Sequence, residues 1–297
     1  MTGSPHLALI AGAGTLPALI AARQPAPPLI VSLSGFLPDG LTPDITFRIE
    51  HLGSTLAALR EQGIRELCLV GQVRRPVVDP AQIDAATAPI VPRLVAALAQ
   101  GDDGALRGLM EILEEAGFTL RGAHELAADL LPAPGCLAGA VTEAHERDAA
   151  RGAEIVAALG TADVGQACIV ADGQALAIEA LPGTDWMLKS LLVEAPESPD
   201  LTDPLGMAAD WLSGPAAPRP TATRDPSLPA GGILFKAPKP GQELRADMPT
   251  IGPGTVALAA QAGLDGIVLA AGGVLLIEPE RCAALAKEAG IFLWVRP

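Results

Sequence analysis

The sequence has no tyrosine and few aromatic residues, with three Trp and five Phe among 297 residues. Basic residues are also scarce, because 20 Lys and Arg stand against 34 Asp and Glu and the formal net charge is −14. Few aromatic rings leave little surface for stacking on bases, and the negative charge repels a phosphate polyanion. The composition therefore argues against nucleic acid as a partner, and an anionic ligand would need a local group of donors.

Long hydrophobic runs and targeting segments are missing as well. The longest apolar run, 266–277, is shorter than a membrane-spanning helix and is interrupted by two glycines. The N-terminus lacks the basic segment and apolar core of a secretory signal. The four cysteines lie far apart and form no Cys-x-x-Cys pair, which favours buried reduced thiols over disulfides or metal. We therefore expect a cytoplasmic protein.

Several common catalytic motifs are absent. The sequence contains neither the G-x-S-x-G nucleophile motif nor a phosphate-binding P-loop. His124-Glu125 begins like the zinc-protease motif, but Ala128 stands where the second histidine is required. Zinc hydrolysis by that motif is therefore excluded.

Short apolar runs alternate with helical segments in the first 130 residues. The pattern predicts strands over 7–11, 28–33, 45–49 and 66–71, and helices over 16–23, 54–62, 92–100 and 103–116. This alternation is typical of a parallel sheet with helices on its faces. A Pro- and Gly-rich stretch, 130–141, suggests a domain boundary. We predict an α/β fold with a Rossmann-like nucleotide-binding domain over 1–132 and a mixed α/β catalytic domain over 133–297.

The second half has a different pattern. Thr142 is a candidate N-cap for a helix that reaches residue 159, and Asp172-Gly173 between two strand-like runs predicts a hairpin. We expect a second hairpin or tight strand pair around Gly272-Gly273. The segment 195–232 is rich in proline, and we expect it to be loose and partly disordered.

The first predicted strand runs into a glycine turn. Gly12 and Gly14 match the start of the dinucleotide motif G-x-G-x-x-G, but Pro17 stands where the third glycine belongs. The segment LIVSLSG, 29–35, which contains the end of the second strand, offers serines and no carboxylate for a ribose hydroxyl, which argues against NAD. Two alternatives stay open: the turn and the following Leu16-Pro17 cradle a nucleotide phosphate, or they form a plain tight turn.

The segment KAPKPGQELRADMPTIGPGT, 236–255, carries the sharpest group of polar residues. Lys236 and Lys239 lie beside prolines, which favour polyproline II geometry with three residues per turn. Two ammonium groups on one face would suit a pyrophosphate, and Asp247 in such surroundings would serve to hold a divalent cation or orient a water. The alternative is a proline-stiffened loop with two solvated lysines and a capping aspartate.

A second candidate group lies in IEALPGTDWML, 178–188. Glu179 closes a predicted strand, and Thr184 and Asp185 precede a helix. These residues are candidates for substrate and metal binding. The alternative is that Thr184 or Asp185 is an N-cap and Glu179 a surface strand residue.

Two further segments carry candidate residues. Gln72, Arg74 and Arg75 follow a predicted strand and could reach a nucleotide, because the carboxyl ends of parallel strands are where open α/β sheets bind ligands. Asp102-Asp103 could cap the following helix or bind a metal.

Seven segments in this order resemble the UDP-2,3-diacylglucosamine pyrophosphatases of the LpxI type, from lipid A biosynthesis. The resemblance runs through nearly the whole chain and rests on these segments: LIAGAGTLP, GQVRRP, GDDGALR, GAHE, DVGQ, EALPGTDWML and KAPKPGQELRADMPTIG. It implies a two-domain, magnesium-dependent hydrolase that releases UMP and 2,3-diacylglucosamine 1-phosphate, with the lipid bound in a cleft between the domains. It also implies a homodimer and allows peripheral contact with the inner membrane.

The resemblance singles out Asp247 as the residue on which catalysis depends. Together with the residue patterns it suggests that Mg²⁺ is held by Asp247 and a second carboxylate, Glu179 or Asp185. Lys236 and Lys239 would then stabilise the charge that develops on the diphosphate. Eight residues are the expected substrate-binding set: Gly12, Gly14, Leu16, Pro17, Gln72, Thr184, Gln242 and Thr250. The alternatives are a non-catalytic sugar-nucleotide or lipid carrier and, more remotely, a dinucleotide-dependent oxidoreductase.

Overall fold

The computed structural model describes residues 6–74, 76–99, 101–194 and 222–297. The first half forms a five-stranded sheet in the order β3-β2-β1-β4-β5, in which all neighbouring strands are parallel. Its strands are β1 (Leu7–Ala11), β2 (Leu29–Leu33), β3 (Ile45–Phe47), β4 (Glu66–Val70) and β5 (Thr119–Leu120). The order 3-2-1-4-5 is that of a doubly wound, Rossmann-like sheet, so the predicted fold of this half is confirmed.

Helices cover both faces of this sheet because its strands are apolar on both sides. The helices of this half are α1 (Leu16–Ala22), α2 (Leu52–Glu61), α3 (Val91–Leu98), α4 (Gly101–Glu115) and α5 (Ala123–Leu126), with short 3-10 helices at Ile49–His51, Pro80–Gln82 and Ala128–Leu130. Ala8 of β1 belongs to the apolar cluster beneath α2 and α4, whereas Leu9 belongs to the cluster beneath α1 and α5. Successive side chains of a strand point to opposite faces, which explains this division.

The second half forms a mixed six-stranded sheet in the order β6-β15-β13-β11-β7-β8. The strands of this half are β6 (Gly135–Ala138), β7 (Ala167–Ala171), β8 (Gln174–Ile178), β9 (Leu192–Glu194), β10 (Ala222–Arg224), β11 (Ile233–Lys236), β12 (Thr250–Ile251), β13 (Gly266–Ala270), β14 (Leu275–Leu276) and β15 (Phe292–Arg296). The strands β11, β13 and β15 are parallel to one another. Strand β6 pairs antiparallel with β15, β7 with β11, and β8 with β7. The predicted mixed α/β fold is confirmed.

In the described part of the second half, the helices are α6 (Glu143–Thr161), α7 (Thr184–Lys189), α8 (Pro253–Gln261) and α9 (Pro279–Glu288). Helix α6 packs on one face of the sheet, and α7, α8 and α9 pack on the other. As predicted, Thr142 caps α6, because its Oγ1 accepts a hydrogen bond from the backbone amide of His145 at 3.4 Å.

One of the two predicted hairpins is present. Strands β7 and β8 pair antiparallel through Asp172-Gly173, both with positive φ, and the Asp148 carboxylate of α6 accepts hydrogen bonds from both turn amides. The second predicted strand pair, around Gly272-Gly273, is wrong. Strand β13 has β11 and β15 on its two edges, so β14 has no free edge there and pairs parallel with β12 instead.

The stretch between β11 and β12 ties the two halves together. The Arg107 guanidinium of α4 donates to the carbonyl oxygen of Gly241, and Arg245 forms an ion pair with Glu114 of α4 at 2.8 Å. Met248 and Leu275 pack into the apolar cluster beneath α1 and α5. Residues 241–248 therefore lie against the first half. Within the described residues, no helix combines the length and apolar character that crossing a membrane requires.

Candidate functional site

The candidate site lies at the carboxyl end of β11, where the chain leaves the second sheet and meets the first half. Strand β11 ends at Lys236, and the following residues run past the ends of β7 and α6. The carboxyl ends of parallel strands are the usual place for ligands in open α/β sheets, because the loops diverge there.

A buried chain of hydrogen bonds joins three side chains at this end. Lys236 Nζ donates to Thr184 Oγ1 at 2.7 Å, and Thr184 Oγ1 donates to Glu179 Oε1 at 3.0 Å. The exposed fractions of Lys236, Thr184 and Glu179 are 4%, 9% and 7%. The threonine hydroxyl therefore bridges a buried cation and a buried carboxylate.

Local chain geometry explains why these three groups meet. Lys236 ends β11 with its side chain on the α7 face, because the preceding Phe235 packs beneath α6 on the opposite face. Glu179 follows β8, and its backbone amide donates to the carbonyl oxygen of Ala167 at 2.9 Å. A Cβ on Gly165 would lie 2.2 Å from the carbonyl oxygen of Glu179, so only glycine permits this approach.

In this chain of hydrogen bonds, the Lys236 ammonium group is a buried charge with acidic neighbours. Burial lowers the pKa of Lys236, and the charges of Glu179, Asp185 and Asp247 partly oppose that shift. All three carboxylates thus act on one ammonium group. Glu179 Oε2 is buried and has no hydrogen-bond partner among the described residues. An unsatisfied buried carboxylate oxygen of this kind is suited to a cation or a ligand hydroxyl.

A second network holds Asp247. Gln242 Nε2 donates to Asp247 Oδ2 at 2.5 Å, to the Asp247 carbonyl oxygen at 2.7 Å and to Gln166 Oε1 at 3.0 Å. Gln242 Oε1 in turn accepts a hydrogen bond from the Lys239 backbone amide at 2.7 Å. One glutamine side chain therefore fixes the carboxylate, the start of β7 and the turn after Lys239 relative to one another.

Next to this network lies a polar cavity of about 330 Å³ shared by the two halves. Its lining residues are Gly104, Arg107, Gly160, Asp163, Lys239, Pro240 and Gln242. Lys239 Nζ forms an ion pair with Asp163 Oδ1 at 2.5 Å. The cavity thus combines an ammonium group paired with a carboxylate, a guanidinium group from α4 and an amide, and these donors suit an anionic or nucleotide ligand.

The structure corrects the predicted geometry of the two lysines. Lys236 is the last residue of a strand rather than part of a polyproline II segment, and it contacts Thr184. Lys239 lies beyond Pro238 and contacts Asp163 at the end of α6. The two ammonium groups therefore have different partners and do not form one wall, because strand geometry directs the first into the sheet face.

The structure also decides the alternatives for the segment 178–188. The N-cap of α7 is Gly183, so neither Thr184 nor Asp185 is the N-cap. Glu179 is buried rather than a surface residue, and Asp185 lies exposed in the first turn. Thr184 and Glu179 consequently have a role in the buried chain that capping does not explain.

The glycine turn after β1 is closed by β4 rather than open to a phosphate. The Gly12 amide donates to the carbonyl oxygen of Val70 at 2.8 Å, and Ala13 and Gln72 exchange backbone hydrogen bonds of 2.9 and 2.8 Å. A Cβ on Gly12 would lie 2.5 Å from the Gln72 carbonyl oxygen. These contacts favour the tight-turn alternative for the amides of Gly12 and Ala13. Gly14 has a φ of +98°, a backbone conformation that favours glycine.

The remaining predicted substrate-binding residues are not among those that line the polar cavity. Pro17 is buried in the first turn of α1, Leu16 is half-buried beside it, and the Gln72 side chain is exposed. Thr250 Oγ1 donates to the Met248 carbonyl oxygen at 3.0 Å. Predictions also fell on Arg75, on the side chains of residues 102 and 103 and on residues 195–221 of the proline-rich segment, all of which lie outside the described residues.

Three residues of the site were not assigned a role from the sequence. They are Arg107, Asp163 and Gln166, in the segments GDDGALR and DVGQ. Their residue types are common on surfaces, and only their occurrence in shared segments drew attention to them. Contacts between residues more than 70 positions apart, such as Gln166 and Gln242, bring them into the site.

The carboxylates of the site meet only some of the needs of a divalent cation. Across the described ranges, no three His, Cys, Asp or Glu side chains lie close enough together to hold a metal ion. Asp247, Glu179 and Asp185 therefore do not form a three-carboxylate cage. Mg²⁺ in phosphate chemistry commonly uses one or two carboxylates together with waters and substrate oxygens. Asp247 and Glu179 Oε2 are the carboxylate groups that an open site of that type would use here.

The family models and the curated relative that match this chain belong to the same family. Residues 6–130 match the family model of the LpxI N-terminal domain, and residues 133–294 match that of the LpxI C-terminal domain. The UDP-2,3-diacylglucosamine pyrophosphatase LpxI of Caulobacter vibrioides is 34% identical over 294 residues, which cover 97% of this chain and 96% of that protein.

Proposed function

Because the chain belongs to the LpxI family, we propose that it hydrolyses the diphosphate bond of UDP-2,3-diacylglucosamine in lipid A biosynthesis. The products are UMP and 2,3-diacylglucosamine 1-phosphate. The observation that carries this proposal is similarity over nearly the full length to a relative whose name states this activity. The site at the carboxyl end of β11 supports it, because it joins cationic groups and carboxylates at the contact between the halves.

The residues of the site divide the chemistry between them. Gln242 holds the Asp247 carboxylate in one orientation, from which it can orient a water molecule and accept its proton. The buried Lys236 supplies positive charge that offsets the charge developing on the phosphoryl oxygens. Thr184 and Glu179 keep that ammonium group in place.

The polar cavity is the proposed seat of the nucleotide diphosphate. Arg107 and Lys239 would provide donors to its oxygens, and Gln242, which lines the cavity, holds Asp247 beside it. Asp247 and Glu179 would hold Mg²⁺, with Asp185 as the alternative second carboxylate. When bound, the ion neutralises diphosphate oxygens and lowers the pKa of a coordinated water.

The proposal is tested by incubating the purified chain with UDP-2,3-diacylglucosamine, with and without EDTA, and analysing the products by mass spectrometry. We expect UMP and the sugar 1-phosphate without chelator, loss of both with EDTA, and recovery on adding Mg²⁺. Tight binding without UMP release would instead indicate a carrier. Activity that persists in EDTA would contradict the metal assignment alone.

The role of Asp247 is tested by Asp247→Asn, which preserves size and removes the charge. We expect a loss of turnover of at least about a hundredfold, because a positioned acid–base group contributes on the order of 10²–10⁴. Asp172→Asn is the matched control, since Asp172 is exposed in the β7–β8 turn at the other end of β7 from Gln166. Equal turnover of the two variants would contradict the assignment.

The oxidoreductase alternative is disfavoured by the glycine turn. The amides of Gly12 and Ala13 are used by backbone carbonyls, and β2 ends without a carboxylate. A homodimer, a cytoplasmic location and peripheral contact with the inner membrane stay proposals. Sedimentation of the purified protein and flotation with vesicles test the first and the last.

A further inference from the structure

An apolar groove of about 200 Å³ lies on the α6 face of the second sheet, beside the polar cavity. Its lining residues are Ala153, Val156, Ala157, Phe235, Ala237, Pro238, Pro240, Ala270, Arg296 and Pro297. Arg296 is the one charged side chain among these residues. None of the catalytic or diphosphate-binding roles proposed above uses this groove.

The groove and the polar cavity share a wall. Pro240 lines both, and it directly follows Lys239, which lines the polar cavity. A Cβ on Gly160 would lie 2.6 Å from Cδ of Pro240, and a Cβ on Gly273 would lie 2.6 Å from Cδ of Pro238. Two glycines thus let both prolines seat closely against the body of the domain, so the groove has a rigid wall.

We propose that this groove binds the distal part of one acyl chain of the substrate, an inference that rests on the proposed function. A ligand with its diphosphate in the polar cavity has only to cross Pro240 to reach the groove. Pockets for whole ligands usually measure roughly 300–1,000 Å³, so a groove of about 200 Å³ accepts a portion of a hydrocarbon chain. Nine of its ten lining residues are apolar, which suits a hydrocarbon chain.

The inference predicts that chain-length preference depends on this groove. Each buried methylene group contributes about 0.8 kcal/mol, or roughly fourfold in affinity. We therefore expect the wild-type protein to prefer long-chain over short-chain UDP-2,3-diacylglucosamine. Ala157→Phe places a ring in the groove from an exposed position on α6. It should lower kcat/KM for the long-chain substrate about tenfold or more and leave the short-chain value unchanged.

The matched control is Ala158→Phe, which adds the same ring at the next exposed position of α6, outside the groove. It should retain the wild-type dependence on chain length. If Ala157→Phe also retained that dependence, the groove would not be the acyl site. Equal losses in both variants would likewise overturn the inference, because they would reflect the helix rather than the groove.

A binding measurement separates this inference from the proposed function. Calorimetric titration with 2,3-diacylglucosamine 1-phosphate of short and long chain length requires no turnover. If the wild-type protein released no UMP but bound the long-chain compound more tightly, and Ala157→Phe alone removed that difference, the hydrolase proposal would fail and the acyl site would stand. Hydrolysis with identical affinities for both chain lengths in the wild-type protein would overturn the acyl site and leave the hydrolase proposal standing.

Discussion

Replacing Thr184 with valine tests the buried chain of hydrogen bonds most directly. The substitution keeps the branched shape of the side chain and removes only its hydroxyl. That hydroxyl accepts a hydrogen bond from Lys236 Nζ at 2.7 Å and donates one to Glu179 Oε1 at 3.0 Å. Valine therefore leaves a buried ammonium group without its acceptor and a buried carboxylate without its donor.

The magnitude follows from the two lost bonds. A hydrogen bond to a charged group contributes about 1.5–3 kcal/mol, so losing both costs about 3–6 kcal/mol. Attraction between Lys236 and Glu179 offsets part of this loss if the two side chains move together. We expect a net loss of about 3 kcal/mol in the free energy of unfolding, which a protein of ordinary stability survives.

The stability of the second half is measured by urea unfolding followed by tryptophan fluorescence. All three tryptophans, at 186, 211 and 294, lie in that half of the sequence. Turnover of UDP-2,3-diacylglucosamine is measured on the same samples. We expect a decrease of about a hundredfold, comparable with the loss of one preorganised donor in other active sites.

Thr184→Ser is the control because it keeps the hydroxyl and loses only a methyl group. It should stay within about 1 kcal/mol of the wild-type stability and within tenfold of its turnover. If Thr184→Val and Thr184→Ser both matched the wild-type protein in stability and in turnover, the hydroxyl bridge would have no role. A valine variant that lost stability but kept turnover would restrict the bridge to folding.

Two further predictions follow from the site and the glycine turn. Since burial lowers the pKa of Lys236 below its ordinary 10.5, turnover that needs the ammonium group should fall as pH rises through that lowered pKa, and Lys236→Arg should move the fall to higher pH. Between the lowered pKa and 10.5 the unfolded chain binds more protons at Lys236 than the folded protein does, so the contribution of this residue to stability rises with pH there. A wild-type turnover that stays constant with pH to beyond 10.5 would contradict the catalytic role of the Lys236 ammonium group. Gly12→Ala should cost about 1–3 kcal/mol because the new Cβ would lie 2.5 Å from the Gln72 carbonyl oxygen. Gly254→Ala, which meets nothing within 4 Å in α8, is the control and should be neutral or stabilising in thermal unfolding.

Local sequence patterns predicted much of the secondary structure. Strands β1, β2 and β4 and the hairpin at Asp172-Gly173 follow from apolar runs and turn residues that act over a few positions. The pairing of β14 was not predictable in this way. It depends on which edges of β13 are already occupied, and that is a property of the assembled sheet.

The same division holds for the candidate site. Asp247, Lys236 and Thr184 were named from short segments and from resemblance to a family, and the structure places Asp247 within electrostatic reach and Thr184 within hydrogen-bonding reach of Lys236. The roles of Gln166 and Asp163 could not be assigned, because each depends on a partner more than 70 positions away. Surface-type residues give no local signal of such contacts.

By itself, the sequence determined the class of fold, the two-part organisation and the segments that carry the chemistry, because periodicity and turn residues act locally. Tertiary structure alone decided that the two lysines face different partners, that the glycine turn is closed by β4 and that Gln242 fixes Asp247. Each of these depends on which strand face or helix end meets which loop. Such meetings are settled only when distant elements pack together and bury their polar groups in pairs.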